Sequence, residues 1–238
     1  MKLVFNMNSQ TTIGFTQQIK KAWLDFTVQS LLAGQTPSEV RKQLKVLLPN
    51  QQKAISILSK IWLNVPPPLQ SFRQEGLALY QQITLEEQLA VHWGMTLLAY
   101  PFAAVLAENV GRLVRIQNTI TPIQLQKRLA EKWGERELVT TSVRQLMHCW
   151  VEWGILTILG ETVSYEAVVP KVITHPRLTA WLLESILLAN QVQVGTLTTL
   201  VNYTPALFPF KLSTNYFIPN ERLELFSQGV GEIKIAIK

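Results

Sequence analysis

Cysteine is almost absent: Cys149 is the only one in 238 residues, so no internal disulfide can form, and a reducing cytosol is the expected compartment. With His92, His148 and His175 as the only histidines, no metal-ligand spacing arises. There is no phosphate loop, no dinucleotide glycine fingerprint and no nucleophile elbow. Acidic residues are sparse, and Glu86-Glu87 suit the start of a helix better than a catalytic pair. A protein without cofactor and without catalysis is therefore expected. Met1 to Ile13 lacks the sustained apolar region and cleavage site of a signal peptide.

Charge is missing altogether from Gln88 to Ala107, a run of twenty residues and so the length of a membrane span. The run nevertheless contains Gln88, His92, Thr96 and Pro101. Two buried helices meeting near Tyr100-Pro101 explain it better, and no membrane partner is expected. Only 16% of residues are charged, yet the net charge is +6. Residues 1–60 hold eight basic and two acidic side chains, residues 61–108 one and four, and residues 109–147 seven and three. Two basic islands around an acidic spacer suit a polyanion touched at two places, although a solvated surface without a partner gives the same pattern.

The most informative stretch runs from Thr121 to Leu156. Thr121 can cap a helix that begins at Pro122, with Gln124 reaching back and Gly134 ending it. A second helix is predicted to open at Thr140 or Thr141, burying Val143, Leu146, Met147, Trp150 and Val151 at helical spacing. Ser142, Arg144, Gln145, His148 and Glu152 then share the other face. Arg and Gln on such a face are the side chains that pair with guanine and adenine edges. His148 reads either as a phosphate contact or as a merely exposed histidine. Ile155 to Ile158 and Val163 to Glu166 are strand-like, with Leu159-Gly160-Glu161-Thr162 as the turn.

Through these residues the chain resembles a winged-helix domain: Pro101 to Ile116 as first helix, Thr121 to Trp133 as second, Thr141 to Trp153 as recognition helix, and Ile155 to Glu166 as wing. The resemblance implies a third helix in the major groove and a wing against the DNA backbone. A winged helix used only for protein contacts is the alternative. In size and order of parts the chain also resembles the small DNA-binding accessory proteins of BREX phage-defence systems. That implies a place among the subunits of a defence complex, with transcriptional regulation as the competing role.

At the front, Phe15 to Leu32 reads as one amphipathic helix. Thr36-Pro37-Ser38-Glu39 is a capping box for a helix burying Val40, Leu44 and Leu47. Asn50 can cap a third helix to about Leu63, with Gln51, Gln52, Lys53, Ser56 and Lys60 outward. Setting Thr36-Pro37 on Thr121-Pro122 aligns Val40 with Leu125 and Leu44 with Leu129. The front is thus either a second helix-turn-helix unit or a helical brace. Val65-Pro66-Pro67-Pro68 then forms a stiff linker or an internal turn. Leu69 to Tyr80 and Thr84 to Tyr100 are two further helices, and His175-Pro176 introduces another that runs to about Asn190. Thr196 to Asn202 is a short one. Arg222 to Ser227 and Glu232 to Ile237 alternate as a terminal hairpin around Gln228-Gly229-Val230-Gly231.

The expected fold is mainly α: a multi-helix body with a central winged helix-turn-helix, a second such unit at the front and a C-terminal β-hairpin. The divisions fall at 1–64, 65–100, 101–168 and 169–238. The expected function is binding of double-stranded DNA by a cytoplasmic protein, with a protein-binding adaptor or assembly subunit as alternative. The expected DNA contacts are Lys127, Arg128, Arg136, Thr140, Thr141, Arg144, Gln145 and His148, joined by Lys42, Lys45, Gln52, Lys53 and Lys60 at the front.

Overall fold

The computed structural model describes residues 13–160, 163–227 and 231–238. The turn residues Glu161-Thr162 and Gln228 to Val230, and Met1 to Thr12, lie outside the described residues. The protein is mainly helical. Helices α1 (Lys21–Leu32), α2 (Pro37–Leu47) and α3 (Gln52–Leu58) come first, and α3 runs on into a π-helical turn, Ser59–Leu63. Then follow α4 (Gln70–Gln82), α5 (Gln88–Ala99), α6 (Pro101–Val114), α7 (Pro122–Trp133) and α8 (Glu137–Glu152). The remainder mixes β1 (Leu156–Leu159), β2 (Ser164–Ala167), β3 (Lys171–Val172), α9 (Pro176–Ala189), β4 (Val194–Thr196) and α10 (Leu197–Tyr203). β5 (Phe210–Lys211), β6 (Leu223–Ser227) and β7 (Ile233–Ile237) complete it.

Local chemistry sets many of these boundaries. Thr36 and Thr121 each form a capping box, with Glu39 and Gln124 respectively, and each is followed by Pro at the first helical position. Tyr100 is extended, as a residue before proline should be, and α5 and α6 bend by 119° across it. No single helix among the described residues is long and apolar enough to cross a membrane. Instead α5 is the centre of the core, with every residue from Leu89 to Leu98 buried. It packs against α4, α6 and α9.

Trp181 of α9 fits this core because Gly76 and Gly94 leave it room: a Cβ on Gly94 would stand 2.4 Å from the indole. The ring stacks on Phe72 at 4.3 Å and its Nε1 donates to the Phe72 carbonyl. The triple proline is an internal turn, flanked by buried Val65 and Leu69. Buried side chains from Ile13 to Leu212 form one continuous cluster.

The C-terminal strands form an antiparallel sheet in the order β4-β7-β6, so the expected hairpin gains a third strand. Leu223 and Ile235 lay it on Ala180 and Leu187 of α9. Arg222 fixes the same contact, its Nε donating to Glu184 Oε1 at 2.6 Å while its Nη2 reaches Glu75. Glu184 is buried, and without the guanidinium its charge would be stranded.

Two front-end expectations fail. Phe15 to Lys20 is non-helical, with a bend at Gln17, and the helix begins only at Lys21. Burial of Phe15 and Ile19 contributes about 1.5–3 kcal/mol each, more than helix preferences of under ~1 kcal/mol per residue. The irregular path buries both while freeing main-chain groups to bond α8. Leu47 is exposed rather than core, beside exposed Val46 at the end of α2.

Candidate nucleic-acid interface

Residues 101–167 bring α6, α7, α8 and an antiparallel hairpin into one unit. β1 and β2 pair from Leu156↔Ala167 to Leu159↔Ser164. Ile120, between α6 and α7, adds a bridge to Tyr165, with both N–H···O distances at 2.8 Å. Gly134 ends α7 with φ +75°, a conformation that favours glycine, and Leu125 and Leu129 face the core.

α8 opens at Glu137, earlier than the threonines suggested. Arg136 is extended and sits at the N-cap, and the Thr140 amide already donates to the Arg136 carbonyl. Thr140 and Thr141 therefore offer hydroxyls rather than free amides. Val139, Val143, Leu146, Met147 and Trp150 are buried. Thr140 and Arg144 are exposed, and Thr141, Gln145 and His148 are half-buried beside them. Glu137, also exposed, begins the same stripe.

Ser142 and Glu152 do not belong to that stripe. Residues 13–20 run as a strap along one side of α8, where Ser142 Oγ donates to the Ile13 carbonyl at 3.3 Å. The Ile19 amide donates to Cys149 Sγ at 3.0 Å, and the Lys21 amide to Glu152 Oε2 at 2.7 Å. Gln18 Nε2 donates to the His148 carbonyl. Cys149 is buried, and burial pushes its thiol up to about 12, which suits a packing role. The strap was invisible to sequence reasoning, since its partners lie about 130 residues away.

Lys127 and Arg128 are exposed on α7, and Arg136 is exposed at the α7–α8 turn. Among the described residues none of these, nor Arg144, has a carboxylate within ion-pair distance. Lys127, Arg136 and Thr140 line one cleft of about 370 Å³ between α7 and the start of α8, together with Gln126 and Glu137. The hairpin is different. Residues 154–170 contain no Lys or Arg and two Glu, and Ile158 and Val163 are exposed.

At the front, Lys42, Lys45, Gln52 and Lys53 are exposed on α2 and α3. Lys60 departs from the expectation of an outward lysine: it is half-buried, its Nζ 4.4 Å from the centre of the Tyr100 ring. Burial pulls its pKa down. Among the described residues no group of three or more His, Cys, Asp or Glu could hold a metal ion. No protein family, curated protein or solved structure matches the chain.

Proposed function

We propose that residues 101–167 act as a winged helix-turn-helix that binds double-stranded DNA, with α8 in the major groove. The observation that carries this reading is the stripe of Thr140, Thr141, Arg144, Gln145 and His148 on a face of α8 that, among the described residues, core and strap leave open. Lys127, Arg128 and Arg136 stand beside it without carboxylate partners among the described residues, free to meet phosphates. Arg144 and Gln145 read base edges, and His148 meets the backbone. The hairpin, which offers no cation, contributes no phosphate contact. Lys42, Lys45, Gln52 and Lys53 supply a second, sequence-independent contact. Such an activity would serve transcriptional regulation or a DNA-binding subunit of a phage-defence complex.

A titration of labelled duplex DNA at several salt concentrations tests the proposal. Affinity should fall linearly in log–log form as salt rises. Arg144→Ala/Gln145→Ala should weaken specific binding by about tenfold or more while leaving thermal stability intact. Trp150→Ala is the contrasting control: its ring is buried, and its loss should destabilise the fold by about 3–5 kcal/mol. Unchanged affinity in a correctly folded double variant would remove α8 from the interface.

An adaptor role has one specific observation in its favour, the acidic and apolar hairpin, whose exposed Ile158 and Val163 suit a protein surface better than a phosphate backbone.

A further inference from the structure

Val65 and Pro66, at the start of the internal turn, form part of one wall of a cavity of about 100 Å³. Ile61, Leu69 and Phe72 continue that wall, and Met95 and Leu98 of α5 form the other. All five are buried. Pro66 fixes one backbone angle of the first wall. At its rim stand two polar side chains, Lys60 and Asn64. Lys60 has no carboxylate partner among the described residues, and its Nζ rests on the face of Tyr100 instead. A half-buried ammonium without an anion, beside an apolar hole, is half of a recognition pair.

We propose that this cavity binds a small carboxylic acid, its hydrocarbon part between Phe72 and Met95 and its carboxylate on Lys60 Nζ. The size limits the occupant. An engineered apolar cavity of roughly 150 Å³ holds benzene; this one, at about 100 Å³, is smaller and suits a short acyl chain rather than an aromatic ring. The anion replaces the Tyr100 ring as the partner of Lys60, which makes the contact charge-assisted and sets acids above neutral molecules of the same shape. This binding does not depend on the DNA reading, and the test contains no DNA.

Methyl NMR spectra of the full chain can be recorded during titration with butanoate and 3-methylbutanoate, and with butan-1-ol and 3-methylbutan-1-ol as neutral counterparts. The acids should produce saturable shifts of the Met95 and Leu98 methyl signals and bind about tenfold more tightly than the alcohols. Lys60→Met should abolish that preference while alcohol binding persists. Ala99→Leu, which enlarges a side chain on the lining, should remove binding of all four compounds. No saturable shift with any probe would overturn the proposal, as would an acid preference that survives Lys60→Met. If Ala99→Leu fails to fold, the Lys60→Met comparison decides alone, because that side chain lies at the rim and outside the packed core.

Discussion

The indole of Trp153 donates its Nε1 hydrogen to the carbonyl of Ile19 at 2.9 Å, joining residues 134 positions apart. Trp153 closes α8, and Ile19 lies near the end of the strap that runs along it. Both are buried, so water cannot replace the bond if it is lost. Trp153→Phe keeps most of the ring but leaves the Ile19 carbonyl without a donor. Urea denaturation should show a loss of about 1–3 kcal/mol. A loss too small to measure would mean that the strap is held by side-chain packing alone.

Gly111 lies inside α6, where alanine normally stabilises a helix by roughly 1 kcal/mol. Here the sign should reverse. A Cβ at this position would stand 1.9 Å from the Pro205 carbonyl oxygen, which is backbone and cannot rotate away. Gly111→Ala should therefore destabilise by about 1–3 kcal/mol or more, with the melting temperature falling. Gly14→Ala meets nothing within 4 Å and serves as the control.

The chain should lose stability on mild acidification. His92 is fully buried, its Nε2 2.9 Å from Asp25 Oδ1. Burial pulls its pKa below the ordinary 6.5, outweighing the opposing pull of Asp25, so the folded protein carries it neutral. Below pH 6.5 the unfolded chain takes up a proton that the folded chain refuses, and stability drops as pH falls. Asp25 acts in the same direction at lower pH. Burial raises its pKa, but bonds from His92, Lys21 and Tyr80 hold it well below the ordinary 3.8, so its contribution is lost as pH falls through the acid range. Melting temperatures recorded from pH 7 to pH 3 should decline throughout, and His92→Gln should flatten the portion between pH 7 and pH 5. A flat wild-type profile there would show that His92 is protonated in the folded state.

The front lysines should separate into two kinds. If Lys42, Lys45 and Lys53 meet phosphates, replacing any contacting one by Gln should reduce the salt slope of DNA binding by about one, with little change in sequence preference. Lys60→Met should leave the slope unchanged, because that ammonium is turned onto Tyr100. Slopes unaffected by all three exposed lysines would make α2 and α3 structural.

Local grammar made part of this molecule legible in its sequence. Thr36-Pro37 with Glu39, Thr121-Pro122 with Gln124, Gly134 and Tyr100-Pro101 each act within a few residues, and each marks the boundary it promised. The start of α8 was missed because Arg136 caps it without a side-chain bond, leaving no signature. β4 is three residues long and is a strand only because β7 lies beside it. Ser142 reads as a member of the exposed stripe but is covered by the strap, and Lys60 reads as solvated but rests on Tyr100 at the α5–α6 junction. In each case the missing partner is distant in the chain.

The strap along α8 has a thermodynamic consequence. Main-chain groups from Ile13 to Lys21 bond one side of the helix whose open face would hold a ligand, so occupancy of that face and the anchoring of the strap are linked equilibria. A ligand on α8 at a hundred times its dissociation constant would add about 2.7 kcal/mol to the folded state. With one continuous core, that increment should reach α1 and α9 as well as α8, raising a single melting transition and slowing amide exchange at Ile19. A fragment cut at Pro101 would keep the helix and lose this linkage, leaving Cys149 and Trp153 exposed where the strap had been.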